Sequence, residues 1–116
     1  MTAPTMPARA GSTPLDQRRV ERAILSVFPE KPTLGSVAAV LGVHMRTLQR
    51  RLAESGLSFQ VILDDTRRDN AERLLREGSV PIGEIAARLG YSDTAHFTRA
   101  FRRWTGELPS RYRLVH

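Results

Sequence analysis

The chain has 116 residues, 41% of them hydrophobic and 26% charged, with a formal net charge of +6 and no cysteine. That length suffices for one ordinary domain or two very small ones sharing an interface, and the missing cysteine excludes disulfides, Cys-ligated zinc and a cysteine nucleophile. No apolar run approaches the roughly 18 residues of a membrane span, and no charged-then-apolar leader opens the chain, so a soluble, cytoplasmic protein is expected.

Residues 1–14 hold Pro4, Pro7 and Pro14 among small polar residues, which predicts a disordered arm or linker. From Leu15 the pattern is helical. Val20, Ile24, Val27 and Phe28 share one face, and Pro29 and Pro32 stop the helix. Thr33 is placed to cap a second helix with Leu34, Val37, Ala38 and Leu41 inward, ended by Gly42. A third helix is expected at about 44–54, with Leu48 and Leu52 inward and Gly56 as its stop. Ser58 caps a longer fourth helix over roughly 59–77, apolar at Phe59, Ile62, Leu63, Thr66, Leu74 and Leu75 and broken near Asp69–Asn70. Pro81 fits the first turn of a fifth helix, with Ile82, Ile85, Ala86 and Leu89 inside. After Gly90, Ser92 is the expected cap of a sixth helix, Asp93 its favourable first-turn charge, and Phe97, Phe101 and Trp104 its inner stripe. Gly106 stops it, and Pro109 opens a last helix over 110–114. No strand alternation is present. The expected division is 15–57 and 79–116 as two units joined by a linker helix over 58–78.

Two segments share one design: "VAAVLGVHMRTLQRRL" from Val37 and "IAARLGYSDTAHFTRAF" from Ile85. Ala38 precedes Gly42 by four and Ala86 precedes Gly90 by four, so a small residue lets two helices approach and a glycine permits a left-handed turn. This is the helix-turn-helix arrangement, whose second helix enters the DNA major groove. Beyond the glycines the second copy is longer by one: Leu48 lies six after Gly42, Phe97 seven after Gly90. The extra residue is expected in the second turn. A linker helix of about 19 residues is roughly 28 Å long at 1.5 Å per residue. That approaches the pitch of about 34 Å at which one face of B-DNA repeats its major groove.

The positive charge is almost all arginine, since Lys31 is the sole lysine. A G- and C-rich genome explains that ratio as readily as function does. It does not explain the net excess, which favours a polyanionic partner.

These segments, with "RRDNAERLLREGSVPIGEIAARLGYSDTAHFTRAFRRWTG" and the closing "PSRYR", resemble the DNA-binding domain of the AraC/XylS family of bacterial transcription regulators. The resemblance covers about 15–113. It implies an all-α fold: seven helices in two helix-turn-helix subdomains joined by a long central helix, bound as a monomeric domain to two successive major-groove segments. Carried over by position, it places Arg46, Gln49 and Arg50 of the first reading helix and Thr94, Ala95, His96 and Arg99 of the second on DNA. The chemistry agrees, for arginine forks onto guanine, glutamine pairs with adenine, and alanine meets a thymine methyl. Arg102, Arg103 and Arg67 are expected phosphate contacts, unless Asp64, Asp65 and Asp69 hold the linker arginines in local ion pairs. Arg111 and Arg113 are expected beside acids near the last helix, and Trp104 in the core. The family usually has serine or threonine where His44 stands. Histidine is a poorer cap, so the first reading helix is expected to fray or begin a residue late. The effector or dimerisation domain that family members commonly carry is absent from this chain, which reads as a fragment or a stand-alone binder.

Catalysis is not expected. Asp64 and Asp65 are adjacent on a helix and diverge, and His44, His96 and His116 are far apart without a metal-ligand motif. DNA alkyl repair, known in relatives of this family, needs an acceptor cysteine that is missing. No cofactor or metal is implied. The expected function is a sequence-specific, duplex-DNA-binding transcription regulator, read as an activator, with RNA polymerase a second partner. The competing reading is a protein-interaction module that presents Asp64, Asp65, Glu72 and Glu77 to the transcription machinery or to another regulator.

Overall fold

Seven helices follow one another in the computed structural model, which describes residues 17–116: α1 (Gln17–Val27), α2 (Leu34–Leu41), α3 (Met45–Glu54), α4 (Phe59–Glu77), α5 (Ile82–Arg88), α6 (Thr94–Thr105) and α7 (Pro109–Val115). The arm expected over 1–14, and Leu15, lie outside the described residues. No strand occurs among the described residues, and no helix there is long and apolar enough to cross a membrane.

Side-chain chemistry at the helix ends explains most boundaries. Thr33 and Ser36 form a reciprocal capping box at α2: the Thr33 hydroxyl accepts from the Ser36 N–H at 3.0 Å, and the Ser36 hydroxyl accepts from the Thr33 N–H at 2.9 Å. Ser58 caps α4 by accepting from the Val61 N–H. Gly42 and Gly90 adopt φ of 71° and 84°, the left-handed turn each copy needs.

Four expectations about these ends are corrected. Asp93, not Ser92, caps α6, its carboxylate accepting from the His96 N–H at 2.7 Å. Pro81 stands just before α5 as its N-cap residue, not inside the first turn. The last helix runs one residue further at each end than expected. His44 does cap α3: its Nδ1 accepts from the Arg46 N–H at 3.2 Å, so the helix starts at Met45. Histidine's lone pair reaches where a serine hydroxyl ordinarily would.

The helices bury two cores. Val20, Ala23 and Ile24 of α1, Val37 and Ala38 of α2, and Leu48 and Leu52 of α3 close over Ile62 and Leu63 at the start of α4. Ala71, Leu74 and Leu75 at the end of α4 meet Ile85, Ala86 and Leu89, then Phe97, Phe101 and Tyr112. One helix therefore serves both cores, and the buried stripe passes from the first to the second through Thr66 and Arg67. The Thr66 hydroxyl donates to the Ile62 carbonyl at 2.7 Å, so its polarity costs little there. Trp104 packs half-buried beside Tyr91 and Phe101, as a core residue.

Candidate nucleic-acid interface

Each copy places a hydrophobic residue of its second helix under that helix and leaves the opposite side open. Leu48 and Phe97 are fully buried, as the shift of one position between the copies requires. On the open side Arg46, Gln49 and Arg50 of α3 are exposed, and so are Thr94, Ala95, His96 and Arg99 of α6. The extra residue is located by the caps. His44 follows Gly42 by two positions, whereas Asp93 follows Gly90 by three, so the insertion falls in the turn as expected.

A glycine in the first helix of each copy faces the first residue of the second, closely at Gly83 and at ordinary contact distance at Gly35. A methyl group on Gly35 would lie 3.7 Å from Met45 Sδ, and one on Gly83 would lie 3.3 Å from Thr94 Oγ1. Gly35 and Gly83 are 48 residues apart, the same offset as Gly42 and Gly90. Comparing the two copies at that offset would have found the pair in the sequence.

The arginines divide by location. Those on the linker and α5 are engaged: Arg68 pairs with Asp65 at 3.6 Å and Asp69 at 3.7 Å, Arg73 with Glu77 at 3.2 Å, and Arg88 with Glu84. Arg113 bonds the Leu75 and Val80 carbonyls rather than the acids expected for it, and Arg76 donates to the Tyr112 hydroxyl. By contrast, among the described residues the side chains of Arg46, Arg99, Arg102 and Arg103 make no ion pair or hydrogen bond within the chain. Arg50 has a loose partner in Glu54 at 3.8 Å. Both groups are well exposed, and such pairs are worth about 0.3–0.5 kcal/mol, so a phosphate or base displaces the acid cheaply.

Arg67 is the exception, and the phosphate contact expected of it is corrected. Its side chain is only 7% exposed, and its Nε donates to the Leu89 carbonyl at 3.1 Å. Its guanidinium lies over the Tyr91 ring at 4.6 Å and the Phe28 ring at 5.9 Å. A charge this deep and already spent on protein partners is not a groove-facing contact. Burial pushes the Tyr91 hydroxyl above the ordinary tyrosine range, with a raising contribution from Asp64 and lowering ones from Arg67 and Arg103. Tyr91 also touches the rings of His96, Phe97 and Trp104, which fixes the entry to α6.

Two tandem helix-turn-helix units on one shared helix define the class of the protein. The sequence model of a family described as "Helix-turn-helix domain" matches residues 37–114, and the chain belongs to that family of AraC-type domains. It is 39% identical over 97 residues, 84% of this chain and 30% of the relative, to the HTH-type transcriptional regulator VqsM of Pseudomonas aeruginosa. Among solved structures it resembles the transcriptional regulator CdpR of the same organism, with a TM-score of 0.72 and 41% identity, covering 85% of this chain and 31% of that one. It also resembles the DNA-binding domain of AdpA, solved in complex with a target DNA. There the TM-score is 0.66 and the identity 27%, covering 89% of this chain and 92% of that one. The chain spans about a quarter to a third of the length of the curated relatives it matches.

Proposed function

We propose that this chain is the sequence-specific, duplex-DNA-binding part of a bacterial transcription regulator, working in the cytoplasm, with α3 and α6 in successive major grooves. The carrying observation is the pair of open helix faces whose arginines have no tight partner in the chain, while the arginines of the linker and α5 are engaged. Arg46, Gln49 and Arg50 read one groove segment, and Thr94, Ala95, His96 and Arg99 the other. Arg102 and Arg103, on the last turns of α6, hold phosphates and so set register rather than sequence. In this reading 15–57 and 79–116 are the two binding units and 58–78 the spacer. The described residues extend 47 Å along their longest axis, enough for one turn of B-DNA at about 34 Å. Tethering two weak readers makes the second engagement intramolecular, which is what so small a unit needs for useful affinity.

Transcription activation through contact with RNA polymerase belongs to the same proposal. A role in protein docking alone is disfavoured, because it gives no use to the exposed side chains of Arg46, Arg99, Arg102 and Arg103 on the two reading helices. The test is selection of binding sites from a random duplex pool, followed by titration at several salt concentrations. A site of about 17–20 base pairs with two unlike halves one turn apart is expected, and a log–log salt slope near −5 for about six phosphate contacts. A flat salt response, or no enriched sequence, overturns the proposal.

A further inference from the structure

Two reading helices must keep one mutual position to meet one DNA face, yet most of the packing lies within each half. On one side α1 packs on α2 and α4, and α2 on α3; on the other α4 packs on α5 and α7, α5 on α6, and α6 on α7. A cleft of about 470 Å³ opens between the halves, with Thr33, Phe59 and Gln60 on one wall and His96, Ala100 and Arg103 on the other. Beside that cleft, contacts from both halves converge on the Arg67 guanidinium at the middle of α4. Its Nε donates to the Leu89 carbonyl at the end of α5, and its central carbon lies over the rings of Tyr91 in the second turn and Phe28 in the loop after α1. Phe28 packs against both cores. Gly90 closes the same point, where an added methyl would lie 3.3 Å from the Glu30 carbonyl oxygen, 3.4 Å from that of Pro29 and 3.5 Å from Arg67 Nη2.

An arginine is a costly residue for this place. Among the described residues no carboxylate lies within ion-pair distance of it, and burying a charge without a counter-ion is unfavourable before compensation. A methionine would fill the volume at no such cost. What a methionine lacks is direction and charge: a planar fork that bonds a carbonyl while its cationic carbon lies over aromatic rings. We propose that Arg67 is a positioning residue that fixes the angle between the two reading helices, and through it the half-site spacing the protein accepts. This rests on the DNA-binding reading above.

The experiment uses the selected two-part duplex, the same duplex with one base pair inserted or deleted between the halves, and each half-site alone. One base pair turns the halves by about 35° relative to each other. Affinities are measured by fluorescence anisotropy for the wild-type chain, Arg67→Met, Arg67→Lys and Tyr91→Leu, each checked for helicity by circular dichroism. The wild type should lose at least about 10-fold in affinity on insertion, because a rigid spacer that misses the second groove forfeits its effective concentration. Arg67→Met should bind the native spacing about 10-fold more weakly, lose less than about 3-fold on insertion, and keep its half-site affinities. Arg67→Lys keeps the charge without the fork and should show the same flattening, as should Tyr91→Leu to a lesser degree. These two carry the test where Arg67→Met fails to fold. Half-site affinities that fall with the rest in the Arg67 variants, or an undiminished spacing penalty in the variants, overturn the inference while leaving the DNA-binding reading intact. A wild-type chain that binds no selected duplex overturns both.

Discussion

Replacing each turn glycine by alanine separates two things that a glycine can do. Gly42 and Gly90 both sit in the left-handed region, at φ of 71° and 84°. Forcing an L-residue into that conformation costs about 1–2 kcal/mol at either place. The surroundings then differ. A methyl on Gly42 meets nothing within 4 Å, whereas one on Gly90 meets the carbonyl oxygens of Glu30 and Pro29 at 3.3 and 3.4 Å. Those are backbone atoms, which cannot swing aside as a long side chain does, so relief requires the loop after α1 to retreat. Overpacking of this kind adds about 1–3 kcal/mol. Gly42→Ala should therefore lose about 1–2 kcal/mol and Gly90→Ala about 2–5 kcal/mol. Urea denaturation followed by circular dichroism measures both. Equal losses would refute the argument, because they would mean that the second turn is as free of neighbours as the first.

Leu48→Ala, which empties a fully buried site in the first core, should cost about 2–5 kcal/mol of folding stability. Leu114→Ala, 84% exposed, should cost under about 0.5 kcal/mol, and comparable losses would mean that the helix phases are wrong. Because α4 belongs to both cores, the fluorescence of Trp104 in the second half should report the Leu48→Ala shift in full, and an unmoved Trp104 transition would show that the halves unfold separately. Arg99→Ala should lose about 1–3 kcal/mol at one cognate base pair and relax the preference there, whereas a uniform loss on all sequences would make Arg99 a phosphate contact alone. Burial raises the Tyr91 ionisation above its usual range, so the neutral hydroxyl favours the folded chain. That contribution is whole below about pH 10 and is lost as pH rises through the raised value. Melting temperature from pH 8 to 11 should fall more steeply for the wild type than for Tyr91→Phe, and superimposable curves would rule the effect out.

The helices and both turns were legible because each depends on neighbours in the sequence. Glycines that must turn left, prolines that cannot continue a helix, hydroxyls three residues before a helical N–H and apolar residues at 3.6-residue spacing act within a few positions. Where such signals compete, the sequence runs out. Ser92 and Asp93 are both able to cap α6, and the extra residue of the second turn decides for Asp93. His44 reads as a weak cap by residue type, yet its ring nitrogen lies within reach of the Arg46 N–H. Of the reading-helix residues, exposure was foreseeable because Leu48 and Phe97 fix the opposite face.

Arg67 was not legible. It stands beside Arg68 in a stretch that also holds Asp64, Asp65 and Asp69, and local reasoning puts both arginines in water. Arg68 does go there, held by Asp65 and Asp69. Arg67, one position earlier, is rotated by a single residue's turn of the helix into the line of Ile62, Leu63, Ala71 and Leu74. Its partners come from Phe28, Leu89 and Tyr91, and neither period nor composition near Arg67 points to them. The first turn has no equivalent, for a methyl group added at Gly42 would meet nothing within 4 Å. The tandem repeat is thus asymmetric where it matters: the carbonyls of Pro29 and Glu30, in the loop after α1, lie against Gly90 in the second turn, while the space beside Gly42 in the first is open. An internal repeat in sequence announces two copies of a part. How the parts are joined is written in the positions at which the copies differ.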